Sequence, residues 1–412
     1  MPTDAETVAA ELGPDRIEDA ARVLAGHVRT TPVLRAGALS RRLGVGVTLK
    51  CENVQRAGSF KIRGAQHRIA RLTEDQLRRG VVAASAGNHA QAVSVAARER
   101  GIAARLFMPA GAPLAKVEAV RGYGGEVELV HGSYEEAAAA AREHAERTGA
   151  TLIHPYDDLD VIAGQGTVGL EIAQQAPRTG LIVVPVGGGG LAAGVAIAAR
   201  SRFADCRVVG VQAEGRVRGT ICDGIAVKRP GEVTGPLLAA HVDELVTVAD
   251  DEVAEAIVLL LERSKLVAEG AGAAAVAALL SGKVAPPRDG EICAVLSGGN
   301  VDATRLAECI RLGETAAGRR LVFTTVVPDR PGALASLLAT IAELGSNVID
   351  VAHIREGFDL HVRETAVRLV LQTDGPEHGD RVLAEVRERG FEAQPEDMRS
   401  RSPEGEAEPG RR

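Results

Sequence analysis

The stretch Ser59-Phe60-Lys61-Ile62-Arg63-Gly64-Ala65 decides how the chain is read. It sets a lysine directly after an aromatic residue and two residues before an arginine, between Gly58 and Gly64. A lysine amine is a nucleophile only when neutral, and desolvation or a neighbouring cation brings its pKa toward neutrality. Arg63 is the candidate for that cation. The plain alternative is a solvent-facing lysine where a loop enters a helix, and for an isolated lysine that reading would prevail. Two further stretches tip the balance. Ser85-Ala86-Gly87-Asn88-His89-Ala90-Gln91 follows the apolar run Val81–Ala84, and Gly187-Gly188-Gly189-Gly190-Leu191 follows Leu181–Val186.

Around these stretches the composition is that of a globular protein. The 412 residues suggest two or three domains, with 45% apolar and 25% charged residues. Aromatics are only 2% and Trp is missing, so the core has to be built from Ala, Val, Leu and Ile. A net charge of −7 with scattered Lys and Arg argues against nucleic acid as a partner. Five cysteines without a CxxC spacing give neither a disulfide framework nor a zinc cluster. No apolar run approaches a membrane span, and the acidic, alanine-rich start does not read as a signal peptide, so a cytoplasmic protein is expected.

Short apolar runs alternate with helical patterns. Val81–Ala84, Ala104–Met108 and Val127–Val130 read as strands, with helices through Arg98, around Pro113–Arg121 and at Tyr134–Arg147. A second series places strands at Leu181–Val186, Val208–Val211, Leu245–Val248 and Ile292–Leu296. This rhythm predicts an α/β fold with parallel sheets covered on both faces. Val47–Cys51 reads as the strand before Lys61, Gly64–Leu72 as the helix after it, and Ile17–His27 as an amphipathic helix. Gly313–Gly318 reads as a linker. Beyond it the order is βαββαβ, with strands at Leu321–Val327, Val348–Ile354, Ala366–Gln372 and Phe391–Ala393 and helices at Gly332–Leu344 and Asp380–Arg389. Residues 1–15 and the tail 395–412, rich in Pro, Glu, Arg and Ser, are expected to be disordered.

The three motifs, in this order, resemble the fold-type II pyridoxal-phosphate enzymes, closest to the threonine and serine dehydratases, over Ile17 to Leu312. The resemblance implies two parallel-sheet subdomains of the tryptophan synthase β type, residues 16–315, with the smaller one inserted at about 50–155. It implies pyridoxal 5'-phosphate as cofactor and Lys61 as the catalytic amine that takes its aldehyde. Glycines 187–190 lack a Cβ, so backbone N–H groups can approach a phosphate, and the helix begun at Leu191 adds its dipole. Another phosphate ligand fits such a loop too, though the GxGxxG spacing of a dinucleotide site is missing. Ser297 is placed at the pyridine nitrogen, with a helix cap as the alternative, and Asn88 at the phenolic oxygen. Phe60 is placed beside the cofactor. Ser85, Ala86, Gly87, Asn88 and His89 are placed at the substrate carboxylate, with His89 structural rather than a base. Glu269 is placed near the ring and the substrate entry, with a helix-capping carboxylate as the rival reading. The implied reaction is β-elimination from L-threonine to 2-oxobutanoate and ammonia, with L-serine giving pyruvate.

Departures from the family carry information. Ala86 stands where the serine racemases of this group carry a second serine on the opposite face of the cofactor, which disfavours racemisation. Gln212 replaces a glutamate of a divalent-cation site, and the segment 212–223 is short, so no metal is expected. Pro328-Asp329-Arg330-Pro331-Gly332 and the βαββαβ order resemble an ACT domain, residues 319–394. That resemblance implies an amino-acid effector such as isoleucine or valine, with Asp329, Gly332 and Asn347 as candidate contacts and a homo-oligomer, dimer or tetramer, built on paired modules. A module that only joins subunits is the alternative, and so is an amino-acid sensor with a dead catalytic fold. A serine or hydroxyaspartate dehydratase is the nearest rival activity.

Overall fold

The computed structural model describes residues 11–215, 219–355 and 360–396; the expectations for residues 1–10 and for the tail from 397 lie outside them. Two compact units divide the chain, Met1–Leu306 and Ala307–Arg412. In the first unit, helix α1 (Pro14–Leu24) carries proline in its first turn and buries Ile17, Ala20 and Leu24. It is followed by β1 (Val33–Arg35), α2 (Gly37–Leu43), β2 (Val47–Cys51), α3 (Lys61–Ala70) and α4 (Glu74–Arg79). Then come β3 (Val81–Ala84), α5 (Asn88–Arg100), β4 (Ala104–Pro109), α6 (Leu114–Gly122), β5 (Glu126–Val130), α7 (Tyr134–Thr148) and β6 (Thr151–Leu152). The chain continues through α8 (Leu159–Gln175), β7 (Thr179–Pro185), α9 (Gly190–Arg202), β8 (Arg207–Ala213), α10 (Thr234–His241) and β9 (Glu244–Val248). Last are α11 (Asp250–Leu259), α12 (Gly270–Leu280) and β10 (Glu291–Leu296), and α13 (Ala303–Ala316) runs across the boundary at Leu306 into the second unit.

The larger sheet runs β1-β2-β10-β7-β8-β9 and the smaller β5-β4-β3-β6. All pairings are parallel except β1 against β2, an antiparallel edge that the alternating pattern did not foretell. Strands β2 and β3 are buried along their whole length, as expected where helices cover both faces. This topology creates the site. Strands β2, β10 and β7 are parallel neighbours, so the segments leaving their C-terminal ends, with Lys61, Ser297 and Gly187, emerge at one edge. Strand β3 delivers Ser85–His89 from the other sheet.

Several expectations need correcting. Helix α3 begins at Lys61 rather than Gly64, and the N-terminal helix lies at Pro14–Leu24, not Ile17–His27. Residues 313–316 are not linker but the last turn of α13, since Gly313 is buried on its packed face. Helix α8 is buried without a break from Val161 to Leu170, and α12 from Gly270 to Leu279; neither stretch shows an amphipathic stripe, so periodicity is silent on them.

The second unit forms β11 (Arg320–Pro328), α14 (Ala333–Glu343), β12 (Asn347–Ile354), β13 (Glu364–Gln372), α15 (Pro376–Glu388) and β14 (Glu392–Pro395). Its antiparallel sheet runs β12-β13-β11-β14 over a core of Phe323, Leu337, Ile341, Leu369 and Val382. Gln394 and Pro395, expected at or beyond the start of the disordered tail, belong to β14 and pair with Thr324 and Phe323.

Candidate active site

A cavity of about 630 Å³ opens between the two sheets, and its wall carries Phe60, Lys61, Ser85–His89, Gly187–Leu191, Glu269 and Ser297. The volume is that of a small-molecule site. Lys61 stands at the first position of α3, its Nζ donating to the carbonyl of Pro155 at 2.7 Å and lying 5.3 Å from the Phe60 ring centre. Burial lowers its pKa from the ordinary lysine value to about 8, against the pull of Glu269. The neutral amine is therefore substantially populated near physiological pH.

Arg63 is not the cation that does this. Its guanidinium is fully buried on the opposite side of the helix start, donating to both oxygens of Glu52 at 2.7 and 2.8 Å and to Glu171 at 2.6 and 3.0 Å. Lys50, also fully buried, donates to the same Glu171 at 2.5 Å. Burial would raise the Glu52 carboxyl, but the Arg63 guanidinium overrides it and holds the pKa below the usual carboxylate value. The arginine of the SFKIRGA stretch thus clamps α3 to the turn after β2 and to α8, and the sequence could not distinguish that from a partner for Lys61.

Glu269 is buried beside the cavity, where burial and then Asp223 raise its carboxyl to about 8, opposed by the Asn88 amide. It occupies the residue before α12, yet its side chain caps nothing; it accepts from Asn88 Nδ2 at 2.6 Å instead. The helix-capping alternative therefore falls. So does the one for Ser297, which follows β10 six residues before α13 begins; its hydroxyl donates to the Ala271 carbonyl at 3.3 Å. His89 is buried with Nε2 2.8 Å from the Ile153 carbonyl, and burial, then Lys61, push its pKa down to about 3. A base of that strength takes up no proton at neutral pH, and its role is to tie α5 to the strand beside it. Ser85 Oγ accepts from the Gly87 N–H at 3.1 Å, shaping the turn into α5.

The glycine run is tightly constrained. Gly189 takes φ +97°, a left-handed conformation that favours glycine, and α9 begins at Gly190 rather than Leu191. A Cβ on Gly188 would lie 2.2 Å from the Tyr156 ring. The Gly188 carbonyl accepts from Thr234 Oγ1 at 2.6 Å, and the Asp157 carboxylate accepts from the N–H groups of Glu232, Val233 and Thr234, holding the backing segment in place. Gln165, 1% exposed and on the cavity wall, has a buried Nε2 with no protein partner. An amine that burial keeps partly neutral, a glycine cradle at a helix N-terminus and an unpaired donor fit pyridoxal phosphate.

Tyr156, Gln165, Asp157, Thr234 and Asn300 escaped the sequence reading. A polar amide inside the nearly apolar run Val161–Leu170 was the one available signal for Gln165. Of the short segment 212–223, Asp223 lines the cavity together with Gly224–Val227 beyond it, while 216–218 lie outside the described residues. Gln212 lies on β8. Among the described residues no three His, Cys, Asp or Glu side chains are grouped to hold a metal ion, and no helix is long and apolar enough to cross a membrane. In the second unit Arg355 donates to both oxygens of Asp329 at 3.1 and 3.2 Å, Gly332 takes φ +90° ahead of α14, and Asn347 opens β12.

Residues 24–298 match the family described as pyridoxal-phosphate dependent enzyme. An L-threonine ammonia-lyase of Thermotoga maritima is 43% identical over 392 residues, covering 91% of this chain and 97% of the relative. Among solved structures, maize serine racemase superimposes with TM-score 0.68 at 35% identity over 73% of this chain and 97% of the other. The processed threonine deaminase isoform 2 of Solanum lycopersicum gives 0.68 at 34% over 72% and 87%.

Proposed function

The chain belongs to the pyridoxal-phosphate dependent enzymes, and from that premise we infer that it is a lyase removing water and ammonia from L-threonine to give 2-oxobutanoate. The observation that carries this is the buried Lys61 amine, brought near neutrality, in one cavity with the glycine cradle and Ser297. The cofactor, when bound, supplies a ring conjugated to the substrate nitrogen that draws electrons from the α-carbon and acidifies its proton. Lys61 takes that proton, because burial lowers its pKa to about 8 and so leaves a fraction of its amine neutral, and the Pro155 carbonyl aims its Nζ. Backbone N–H groups of Gly187–Gly190 and the start of α9 hold the phosphate. Asn88 donates to the phenolic oxygen, and the start of α5 from Ser85 to His89 receives the substrate carboxylate. Ser297 offers the ring nitrogen a neutral hydroxyl, which cannot keep a proton there as a carboxylate would. With Ser297 in that place, a bound cofactor would withdraw electrons less strongly, which suits loss of the β-hydroxyl. Ala86, on the same wall, brings no proton donor, so return of a proton from a second side is not provided for.

L-serine enters the same reading as a secondary substrate giving pyruvate. The second unit is read as an ACT module that binds a branched-chain amino acid between paired copies in a homo-oligomer. Its βαββαβ order and the glycine-started helix α14 support this. Five cysteines, all buried and none in a disulfide, suit a reducing cytoplasm. Incubation of the purified protein with L-threonine, L-serine and 3-hydroxyaspartate, with keto acid and ammonia measured, tests the activity. Threonine should be turned over best, and borohydride should fix the cofactor on the Lys61 peptide. Preference for hydroxyaspartate, or a label on Lys50 or Lys116, would overturn the assignment.

A further inference from the structure

The loop after β10, Ser297-Gly298-Gly299-Asn300, is laced to the turn that hands the chain to Lys61. Gly299 N–H donates to the Gly58 carbonyl at 2.9 Å, and a Cβ on Gly58 would lie 1.9 Å from Asn300 Oδ1. From this packed position the Asn300 side chain reaches three acceptors: the Ala57 carbonyl at 2.7 Å, an Asn88 amide oxygen at 2.9 Å and a Gln91 amide oxygen at 3.2 Å. We propose that Asn300 is a positioning residue, which fixes the end of the Asn88 amide that faces the cofactor.

The logic is one of donors and acceptors. The Ala57 carbonyl can only accept, so the Asn300 atom facing it is the NH2 group. That NH2 group also faces Asn88 and Gln91, which therefore turn oxygens toward it; its two N–H bonds serve three acceptors, one of them shared. Asn88 is left with its own NH2 on the other side, where one N–H goes to Glu269 Oε1 at 2.6 Å. The second remains available to an oxygen in the cavity. Glu269 does not impose this orientation by itself. Burial keeps its carboxyl protonated over much of the neutral range, and a protonated carboxyl can either donate or accept. A backbone carbonyl cannot exchange roles. The chain of hydrogen bonds thus begins at Ala57, passes through Asn300 and ends on a directed Asn88.

Asn300→Asp keeps the shape and removes both N–H bonds, setting carboxylate oxygens against three acceptors and favouring a turned Asn88. Asn300→Ser is the second variant. The readouts on the cofactor-loaded protein are the visible absorption band and its pH midpoint, the cofactor dissociation constant, Tm, and kcat and KM. Asn300→Asp should move the band or its midpoint in the same direction as Asn88→Ala. In the Asn88→Ala, Asn300→Asp double variant the second change should add nothing further. With the substrate still held by α5, kcat should fall roughly tenfold or more while KM stays within about threefold. An unmoved band with a lowered Tm, or additive effects in the double variant, overturns the proposal. If Asn300→Asp fails to fold, Asn300→Ser decides by the same criteria, and loss of the cofactor by it but not by Asn88→Ala also refutes. The inference rests on the cofactor occupying this cavity, not on threonine. Spectra without substrate therefore decide it even if the proposed activity fails.

Discussion

Replacing Arg63 by methionine isolates what the SFKIRGA arginine does. The guanidinium donates to Glu52, Glu171, Thr167 Oγ1 and the Arg29 carbonyl, all within 3.2 Å, and both it and Glu52 are 0% exposed. Methionine matches the aliphatic stem but leaves Glu52 buried with only Lys50 nearby as a compensating charge and with Thr31 as a hydrogen-bond donor. Removing one partner of a buried ion pair costs about 3–5 kcal/mol; at about 2–4 °C per kcal/mol for domains of 150–250 residues, Tm should fall by about 6–20 °C. The loss should depend on pH with a definite sign. In the native protein Glu52 titrates below its unfolded value, so its contribution is present above the unfolded pKa and is lost as acid carries the pH through the folded one. In Arg63→Met, burial raises the carboxyl instead, and the folded variant binds the extra proton. The penalty should therefore shrink between pH 8 and pH 5.5, and the added Glu52→Gln should recover a large part of it. Thermal melting of the three proteins at both pH values checks this. A penalty below about 1 kcal/mol, as for an exposed pair, or one growing toward acid, would refute the reasoning.

Because burial brings the Lys61 amine to about 8, its neutral fraction grows roughly tenfold between pH 7 and pH 9, and capture of limiting cofactor by the apoprotein should accelerate in proportion. Glu269→Gln removes the opposing carboxylate and should move that profile toward lower pH; stopped-flow absorbance reads both, and a flat profile contradicts the assignment. Chiral analysis of products from L-serine should show negligible D-serine, with Ala86→Ser introducing a detectable amount. Substantial D-serine from the unaltered protein would sink the role given to Ala86. Isoleucine or valine should shift threonine dependence in the full-length enzyme but not in a chain ended near Gly318, and a coupling of about 1–3 kcal/mol corresponds to about 5–150-fold in affinity. If no amino acid binds the full chain, the second unit only joins subunits.

The sequence by itself determined the rhythm of the fold and the chemistry on offer. Apolar runs such as Val81–Ala84 and Leu181–Val186 are local statements, since a strand buried on both faces needs only its own residues to be apolar. The lysine, the AGNH turn and the four glycines are likewise local, because a nucleophile or a Cβ-free backbone is a property of the residues themselves. Helices α8 and α12 stayed hidden for the converse reason: stretches such as Val161–Leu170 and Gly270–Leu279, buried on every side, have no polar face for periodicity to detect. Only the tertiary structure decided direction. It turned Arg63 away from Lys61 into a closed cluster with Glu52, Glu171 and Lys50. It turned Glu269 from its helix toward Asn88, and set Asn300, some 212 residues from Asn88 in sequence, within hydrogen-bond reach of it. A charge or an amide gains its role from what faces it across the fold, and that depends on which strands become neighbours at one edge of the sheet.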